Sequence, residues 1–124
     1  METIDLKPYQ WENRLLLFFA HSPDEAAYQK QLDLWEEREA EILDRDLVFF
    51  HLFQSTPGRA GADAFSAPAA EELAREYDVS FDEPTVLLIG KDGGVKLRRS
   101  MPVSPEDINA LIDSMPMRQR EMRE

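Results

Sequence analysis

The sequence predicts an α/β fold with the order βαβ followed by αββα, in which a central mixed sheet of four to five strands is flanked by helices. Two short runs that are apolar without interruption indicate strands buried on both faces. A third run is followed by Asp92-Gly93, a dipeptide typical of hairpin turns. The length of 124 residues fits a single domain over 1–124. We expect its core at about 14–115 and a C-terminal tail at 116–124.

The first buried strand is predicted at Leu15–Ala20, the longest uninterrupted apolar run. Upstream of it, Ile4 and Leu6 alternate with polar residues, so at most a short leading strand is expected before Pro8. The second buried strand is predicted at Leu47–Phe53. Because a helix lies between the two strands, we expect a right-handed crossover and a parallel pair.

The crossover helix is predicted to begin at Ser22 and to run to about Asp44. Ser22 is a preferred N-cap residue, Pro23 suits the first helical position, and Glu25 can complete a capping box. Apolar residues recur behind this start at helical spacing, and most of the acidic residues fall on other faces. The acidic side of the helix should therefore face water.

The second half of the chain begins with a long loop, because residues from Gln54 to Ala67 are rich in Gly, Ala, Ser and Pro and show no period. A shorter helix is predicted over Pro68–Tyr77. The runs Val86–Ile89 and Val95–Ser100 flank the Asp-Gly turn and should pair as an antiparallel hairpin.

The last helix is predicted to begin at Ser104, where Ser-Pro-Glu-Asp repeats the cap, proline and acid pattern. Pro116 should end or kink this helix. The tail behind it is expected either to fray or to dock on the domain. Its methionines, with Met115, could form an adaptable contact surface.

The charge of the chain excludes two classes of partner. The net charge of −11 at pH 7 repels phosphate backbones and anionic lipid surfaces, so we expect neither nucleic acid nor membrane as a partner. No apolar run approaches the roughly 20 residues that span a bilayer. Glu2 and Asp5 occupy the place of a basic signal-peptide region, so a cytoplasmic location is expected, with a removed leader as the alternative.

The predicted order of elements is that of a minimal thioredoxin. Local residues agree with it: Tyr77-Asp78-Val79, the step Pro84-Thr85 into the third buried strand, the Asp92-Gly93 turn and the helix at Ser104. These features resemble the second half of thioredoxins, over about residues 14–115. The resemblance implies a thioredoxin-like fold with a cis proline at Pro84.

A second resemblance lies in the run from Gly90 to Arg98 and in the tail from Ile112 to Arg123. These segments resemble a bacterial domain family of unknown function, the DUDES-type domain, which also occurs in animal extracellular-matrix proteins. The positions that look like family positions are Trp11, Arg14, Arg45, Asp46, Lys91, Asp92, Gly94, Lys96 and Arg118. The resemblance implies a fold and no reaction.

The chain has no cysteine and therefore cannot perform dithiol–disulfide chemistry. In thioredoxins the reactive pair lies where the first strand enters the first helix, and Pro23 and Ala26 stand at or close to those positions. The candidate binding corner consists of His21, Ser22, Pro23, Asp24 and Glu25 together with Glu83, Pro84 and Thr85. A cis proline there would leave a backbone edge that can pair with an extended peptide.

No catalytic residue, metal or cofactor is predicted. No serine, acid or second histidine is placed by the sequence to form a relay with His21. His51 lies within a predicted buried strand, where a hydrogen-bonded core histidine is the simplest interpretation. The spacing of the two histidines matches no metal-binding motif.

Basic residues gather in the last third of the chain, and they allow two interpretations. They could offer a surface to anions or to an acidic partner. The simpler interpretation, which we favour, is that they balance the acidic face of the first helix or solvate an edge strand. These residues are Lys91, Lys96, Arg98, Arg99, Arg118, Arg120 and Arg123.

The function that we predict is a non-catalytic binding module for an unknown protein or small-molecule ligand. One alternative is a thiol-dependent enzyme, for example one that uses glutathione in the manner of some glutathione transferases, in which Ser22 holds a borrowed thiol. The simpler role of Ser22 is to cap the N-terminus of the helix. Another alternative is a structural or assembly protein that forms a homodimer through an edge strand or through the methionine-rich tail.

Overall fold

The computed structural model describes residues 4–61 and 63–123. These residues form a six-stranded mixed sheet with helices on both faces. The strands are β1 (Arg14–Ala20), β2 (Leu47–Phe53), β3 (Gly58–Ala60), β4 (Asp63–Phe65), β5 (Thr85–Ile89) and β6 (Val95–Ser100). Their order across the sheet is β4-β3-β2-β1-β5-β6. As predicted, β1 and β2 are parallel, and every other pair is antiparallel.

Helices cover both faces of this sheet. They are α1 (Ala26–Leu34), α2 (Glu39–Asp44), α3 (Ala67–Glu76), α4 (Pro105–Asp113) and α5 (Pro116–Arg123), and a short 3-10 helix spans Lys7–Tyr9. Within the described ranges, none of these helices has the length and apolarity that crossing a bilayer requires.

β1 is the central strand, and all of its side chains are buried. Leu16 and Phe18 pack on the face that carries α1 and α4, while Leu15 and Leu17 pack on the face that carries α3. The continuous apolar run therefore serves two cores, one on each side of the sheet.

The predicted start of the first helix at Ser22 is wrong, because α1 begins four residues later, at Ala26. The carbonyl of His21 accepts hydrogen bonds from the backbone N–H and the hydroxyl of Ser55, at 3.1 and 2.9 Å. These bonds tie the segment to the end of β2, and only a turn closed by Glu25 N–H to Ser22 O precedes the helix. Long-range bonds thus replace the local capping box that the sequence predicts.

The predicted helix to Asp44 and the predicted leading strand also require correction. The helix is broken between α1 and α2, where Glu37 takes a left-handed conformation with φ of 62°. Near the N-terminus, Ile4 is buried in the core, and Pro8 lies in the 3-10 helix that replaces a strand. Residues 1–3 of that segment lie outside the described residues.

The predicted loop between β2 and α3 contains the hairpin of β3 and β4, which raises the strand number to six. At Gly58 a Cβ atom would lie 1.9 Å from the carbonyl oxygen of His51, so only glycine lets this segment approach β2. The close approach allows Arg59 to pair with His51 across the two strands.

The predicted cis proline at Pro84 is wrong: in the described ranges the cis bond is Met101–Pro102. Pro84 instead extends the β5–β6 ladder, and its carbonyl accepts a hydrogen bond of 2.9 Å from the N–H of Met101. The N-cap predicted at Ser104 is confirmed, since its hydroxyl accepts from the N–H of Asp107. The tail is helical and docks through α5, with Arg118 buried.

Candidate functional site

The candidate corner lies at one end of the sheet, where β1 and β2 end and β5 begins. Ala20 pairs with Phe53, and Phe19 pairs with Thr85. Because β1 and β5 are antiparallel, the residues after β1 and those before β5 lie at the same end of the sheet. The fold therefore brings the two predicted segments, 21–25 and 83–85, to one place.

The side chains of this corner are held mainly by neutral contacts. The exposed His21 ring forms a hydrogen bond of 3.0 Å between its Nδ1 and the Oε1 of Gln54. Thr85 donates its hydroxyl hydrogen to the carbonyl of Glu83 at 2.8 Å, and the Glu83 carboxylate accepts from Ser100. Asp24 is exposed and forms no ion pair with another described residue. Hydrogen bonds within the corner and to Gln54 and Ser100 thus order these side chains.

A cavity of about 230 Å³ adjoins the corner on the β2 side, and we name it the His51 cavity. It is lined by Pro23, Tyr28, His51, Phe53, Pro57, Gly58 and Arg59. Pro23 belongs to both features, so the cavity opens beside the predicted corner. Sequence reasoning missed Tyr28 and Arg59 as site residues, because they lie in a helix stripe and in an apparent loop.

His51 is half-buried and hydrogen-bonded, as predicted, and it also faces this cavity. Its Nδ1 lies 2.8 Å from the hydroxyl of Tyr28, and its ring stacks on Phe18 at 5.5 Å. Burial, together with the charge of Arg59, lowers the pKa of His51 to about 4. The ring is therefore neutral at pH 7.

At the opposite end of the sheet, the residues of the second resemblance form an ion-pair cluster. Arg14, the first residue of β1, is 1% exposed and donates two bonds of 3.2 Å to the carboxylate of Glu121 on α5. Lys91 donates to Glu121 and to Asp46, both at 2.8 Å. Thus the tail helix is tied to β1 and to the β5–β6 turn.

A second part of the same cluster is centred on Arg118 of α5. Its Nε donates to Asp113 at 3.0 Å and its Nη2 donates to Asp44 at 2.5 Å. Arg45 shares Asp113 through a bond of 2.9 Å. Lys91 and Arg118 are therefore buried against carboxylates and do not solvate an edge strand. The pairing of Arg118 with Asp44 does balance an acid at the end of the predicted acidic helix.

The remaining residues of the second resemblance lie at the same end, around the β5–β6 turn. Asp92 accepts from the N–H of Gly94 and pairs with Lys96, both at 2.9 Å. Trp11 is 60% exposed in a left-handed conformation, and its N–H donates to the carbonyl of Lys91. This end of the sheet thus holds the tail in place rather than forming the corner.

The ion-pair cluster should make stability depend on pH below about 4.5. Burial alone would raise the pKa values of Glu121 and Asp113. The hydrogen bonds from Arg14 and Lys91 outweigh burial and hold the pKa of Glu121 below its ordinary 4.5. Those from Arg45 and Arg118 likewise hold the pKa of Asp113 below 3.8. A carboxyl with a lowered folded-state pKa stabilises the fold above its unfolded-state pKa, and that contribution is lost as the pH falls through the folded value.

We therefore expect the free energy of unfolding of the unaltered chain to fall between about pH 6 and pH 3. In the double variant Glu121→Gln, Asp113→Asn this fall should be smaller by about 1 kcal/mol. Urea unfolding across this range measures the difference. The exposed Glu71→Gln serves as the control and should retain the full pH dependence. Equal slopes for the double variant and the unaltered chain would contradict the assigned role.

Three comparisons place the chain among known proteins. A family profile described as "Domain of unknown function (DUF4174)" matches residues 5–121. The chain is 28% identical over 133 residues to Coiled-coil domain-containing protein 80 of Danio rerio. That match covers 94% of this chain and 15% of the fish protein, so the chain spans only a small part of that relative.

Solved structures show the fold. The reduced 2-Cys peroxiredoxin of Plasmodium vivax matches with a TM-score of 0.69 and 14% identity, over 94% of this chain and 85% of that chain. Thioredoxin peroxidase I of Plasmodium yoelii matches with a TM-score of 0.71 and 16% identity, over 94% and 80%. The predicted thioredoxin-like α/β fold is confirmed, and at these identities the likeness extends no further.

Proposed function

The chain belongs to the family described as Domain of unknown function (DUF4174), and from that premise we propose that it is a non-catalytic module that binds a ligand at the candidate corner. The corner comprises His21 to Glu25 and Glu83 to Thr85. The ligand that we propose is a protein segment or a small molecule. The DUDES-type assignment and the homodimer remain predictions.

One observation carries this proposal: the ends of β1 and β2 and the start of β5 meet at one place, in a thioredoxin-like fold that lacks cysteine. In open α/β sheets ligands bind outside the carboxyl ends of parallel strands, and β1 and β2 both end at the corner. A cavity with an apolar wall and a few polar groups adjoins it, which is the usual composition of a binding site.

The contacts of the corner support binding more than catalysis. Within the described residues, His21 bonds to an amide, and neither a hydroxyl nor a carboxylate forms a relay with it. The thiol-dependent alternative relied on Ser22 at a helix N-terminus, but α1 begins at Ala26. That alternative has therefore lost its structural premise.

The kind of partner follows from charge and from the comparison with the fish relative. The net charge of −11 disfavours nucleic acid and anionic membranes as partners. The relative is named for a coiled-coil domain, and coiled coils join helices of associating chains. A protein segment is accordingly one of the two ligand classes that we propose.

The proposal predicts that ligands shift the amide signals of the non-proline residues among 21–25 and 83–85 in a nitrogen-15 NMR screen of small fragments and short peptides. Shifts of these amides that saturate with ligand concentration are the expected result. Asp24→Lys should change the affinity of charged hits at least several-fold, because its carboxylate lies in the corner. Glu71→Lys, an exposed charge reversal on α3, should leave the affinity of the same hits unchanged.

The screen also has a result that overturns the proposal. Hits that shift only the amides around Trp11 and Lys91, at the other end of the sheet, would move the binding site away from the corner. A complete screen without saturable shifts at residues 21–25 or 83–85 would equally reject it.

A further inference from the structure

The His51 cavity contains a pair of nitrogen donors that no described residue uses. His51 on β2 and Arg59 on β3 are directly opposed in the antiparallel register. Directly opposed residues of such a pair point to the same face of the sheet, with Cβ atoms about 5 Å apart. Tyr28 of α1 packs over that face, and all three residues line the cavity.

The hydrogen bond between Tyr28 and His51 engages Nδ1 of the imidazole and leaves Nε2 on the other side of the ring. Burial raises the pKa of Tyr28 above 10.0, so the hydroxyl keeps its proton, and Nδ1 of His51 is its hydrogen-bond partner. The neutral ring has two tautomers, and in the one whose Nδ1 accepts from the Tyr28 hydroxyl the ring proton is on Nε2. Nε2–H is then a donor without a partner among the described residues.

Arg59 supplies the charge of the cavity. Its guanidinium forms no ion pair and no hydrogen bond with another described residue. Its charge adds to the burial that lowers the pKa of His51, and it partly offsets the burial that raises the pKa of Tyr28. Gly58 permits the close approach of β3 that brings this side chain to His51. The position of Arg59 is therefore set by the backbone, and its charge is not used by the fold.

We propose that the His51 cavity binds a carboxylate, with the guanidinium of Arg59 and the Nε2–H of His51 donating to its oxygens. This inference rests on the proposed function, because the cavity is a recess of the candidate corner. The cavity of about 230 Å³ is smaller than the 300–1,000 Å³ typical of sites for drug-sized ligands, so it suits a short group. One guanidinium and the neighbouring Asp24 and Glu25 favour a monoanion over a multiply charged phosphate.

The carboxylate can come from two sources, which are a small organic acid and the C-terminus of a polypeptide. The apolar walls formed by Pro23, Phe53 and Pro57 would contact the alkyl part of either. Propionate, with propionamide as its neutral control, probes the first source. A blocked tripeptide with a free C-terminal carboxylate, with the same tripeptide as its amide, probes the second.

Nitrogen-15 NMR of the whole chain tests the proposal through the His51 ring nitrogens and the Arg59 amide. Saturable shifts with propionate, with the acid tripeptide or with both support it, and the ligand that binds more tightly identifies the source. Arg59→Gln should weaken this binding about 10- to 100-fold, since a charge-assisted hydrogen bond is lost. Arg75→Gln on α3 also removes one exposed cation and should leave the affinity unchanged.

Two results would overturn the inference. One is the absence of shifts at His51 and Arg59 with either carboxylate. The other is unaltered propionate affinity in Arg59→Gln, whose melting temperature shows whether the variant has folded. If fragments still shift residues 21–25 while carboxylates do not bind, the inference fails and the proposed function stands. If residues 21–25 show no shifts either, both the inference and the proposed function fail.

Discussion

Replacing Arg14 by methionine should lower the free energy of unfolding by about 3 kcal/mol. Arg14 is almost fully buried, and its guanidinium donates to both carboxylate oxygens of Glu121 and to the carbonyl of Arg45. Methionine fills much of the volume but leaves Glu121 with only its remaining basic neighbours. Removing one partner of a buried ion pair is more damaging than removing both. Urea unfolding at pH 7 measures the change.

Arg38→Met is the matched control for this prediction. Arg38 is 30% exposed and pairs with Glu41 and Glu106 near the surface, at 3.1 and 3.2 Å. Pairs of this kind contribute about 0–1 kcal/mol, so the control should change stability by less than that. If the two variants lose similar amounts of stability, the ion-pair cluster does not hold the tail as we describe.

Gln31→Leu should also destabilise the fold by about 3 kcal/mol. Gln31 lies on α1 and is 1% exposed, and its amide bonds to both backbone groups of Val103. The side-chain Nε2–H donates to the Val103 carbonyl at 2.9 Å, and the Val103 N–H donates to Oε1 at 2.7 Å. Leucine keeps the volume but leaves both of these buried backbone groups without a partner.

Thermal and urea unfolding of Gln31→Leu measure this loss, with Gln119→Leu as its counterpart. Gln119 is exposed, and its amide makes a single bond of 3.3 Å to the carbonyl of Asp113. The counterpart should change stability by no more than about 0.5 kcal/mol. A Gln31→Leu chain that unfolds at the same urea concentration as Gln119→Leu would disprove the buried amide bridge.

Most of the sheet was predictable from the sequence because β1, β2 and the β5–β6 hairpin are marked by local sequence patterns. β1 and β2 are continuous apolar runs, and the Asp-Gly turn marks the hairpin of β5 and β6. The helix after Ser104 was predictable for a similar reason, since a local cap defines its start. Where a local signal competes with distant bonds, as at Ser22, the local signal fails.

Other features depend on partners that lie far away along the chain. β3 and β4 have only three residues each, which is too short for a periodic pattern. Gly58 is typical of a loop by sequence, and its role depends on its contact with β2. Lys91 and Arg118 read as surface cations because their carboxylates come from other segments. For the same reason, the pairing of Tyr28, His51 and Arg59 was not visible in the sequence.

The ion-pair cluster and the corner at which we propose binding lie at opposite ends of the sheet. The ion pairs that anchor the tail lie at one end, whereas the corner at the other end depends on neutral contacts. The side chains of the corner therefore contribute none of the ion pairs that anchor the tail to the sheet.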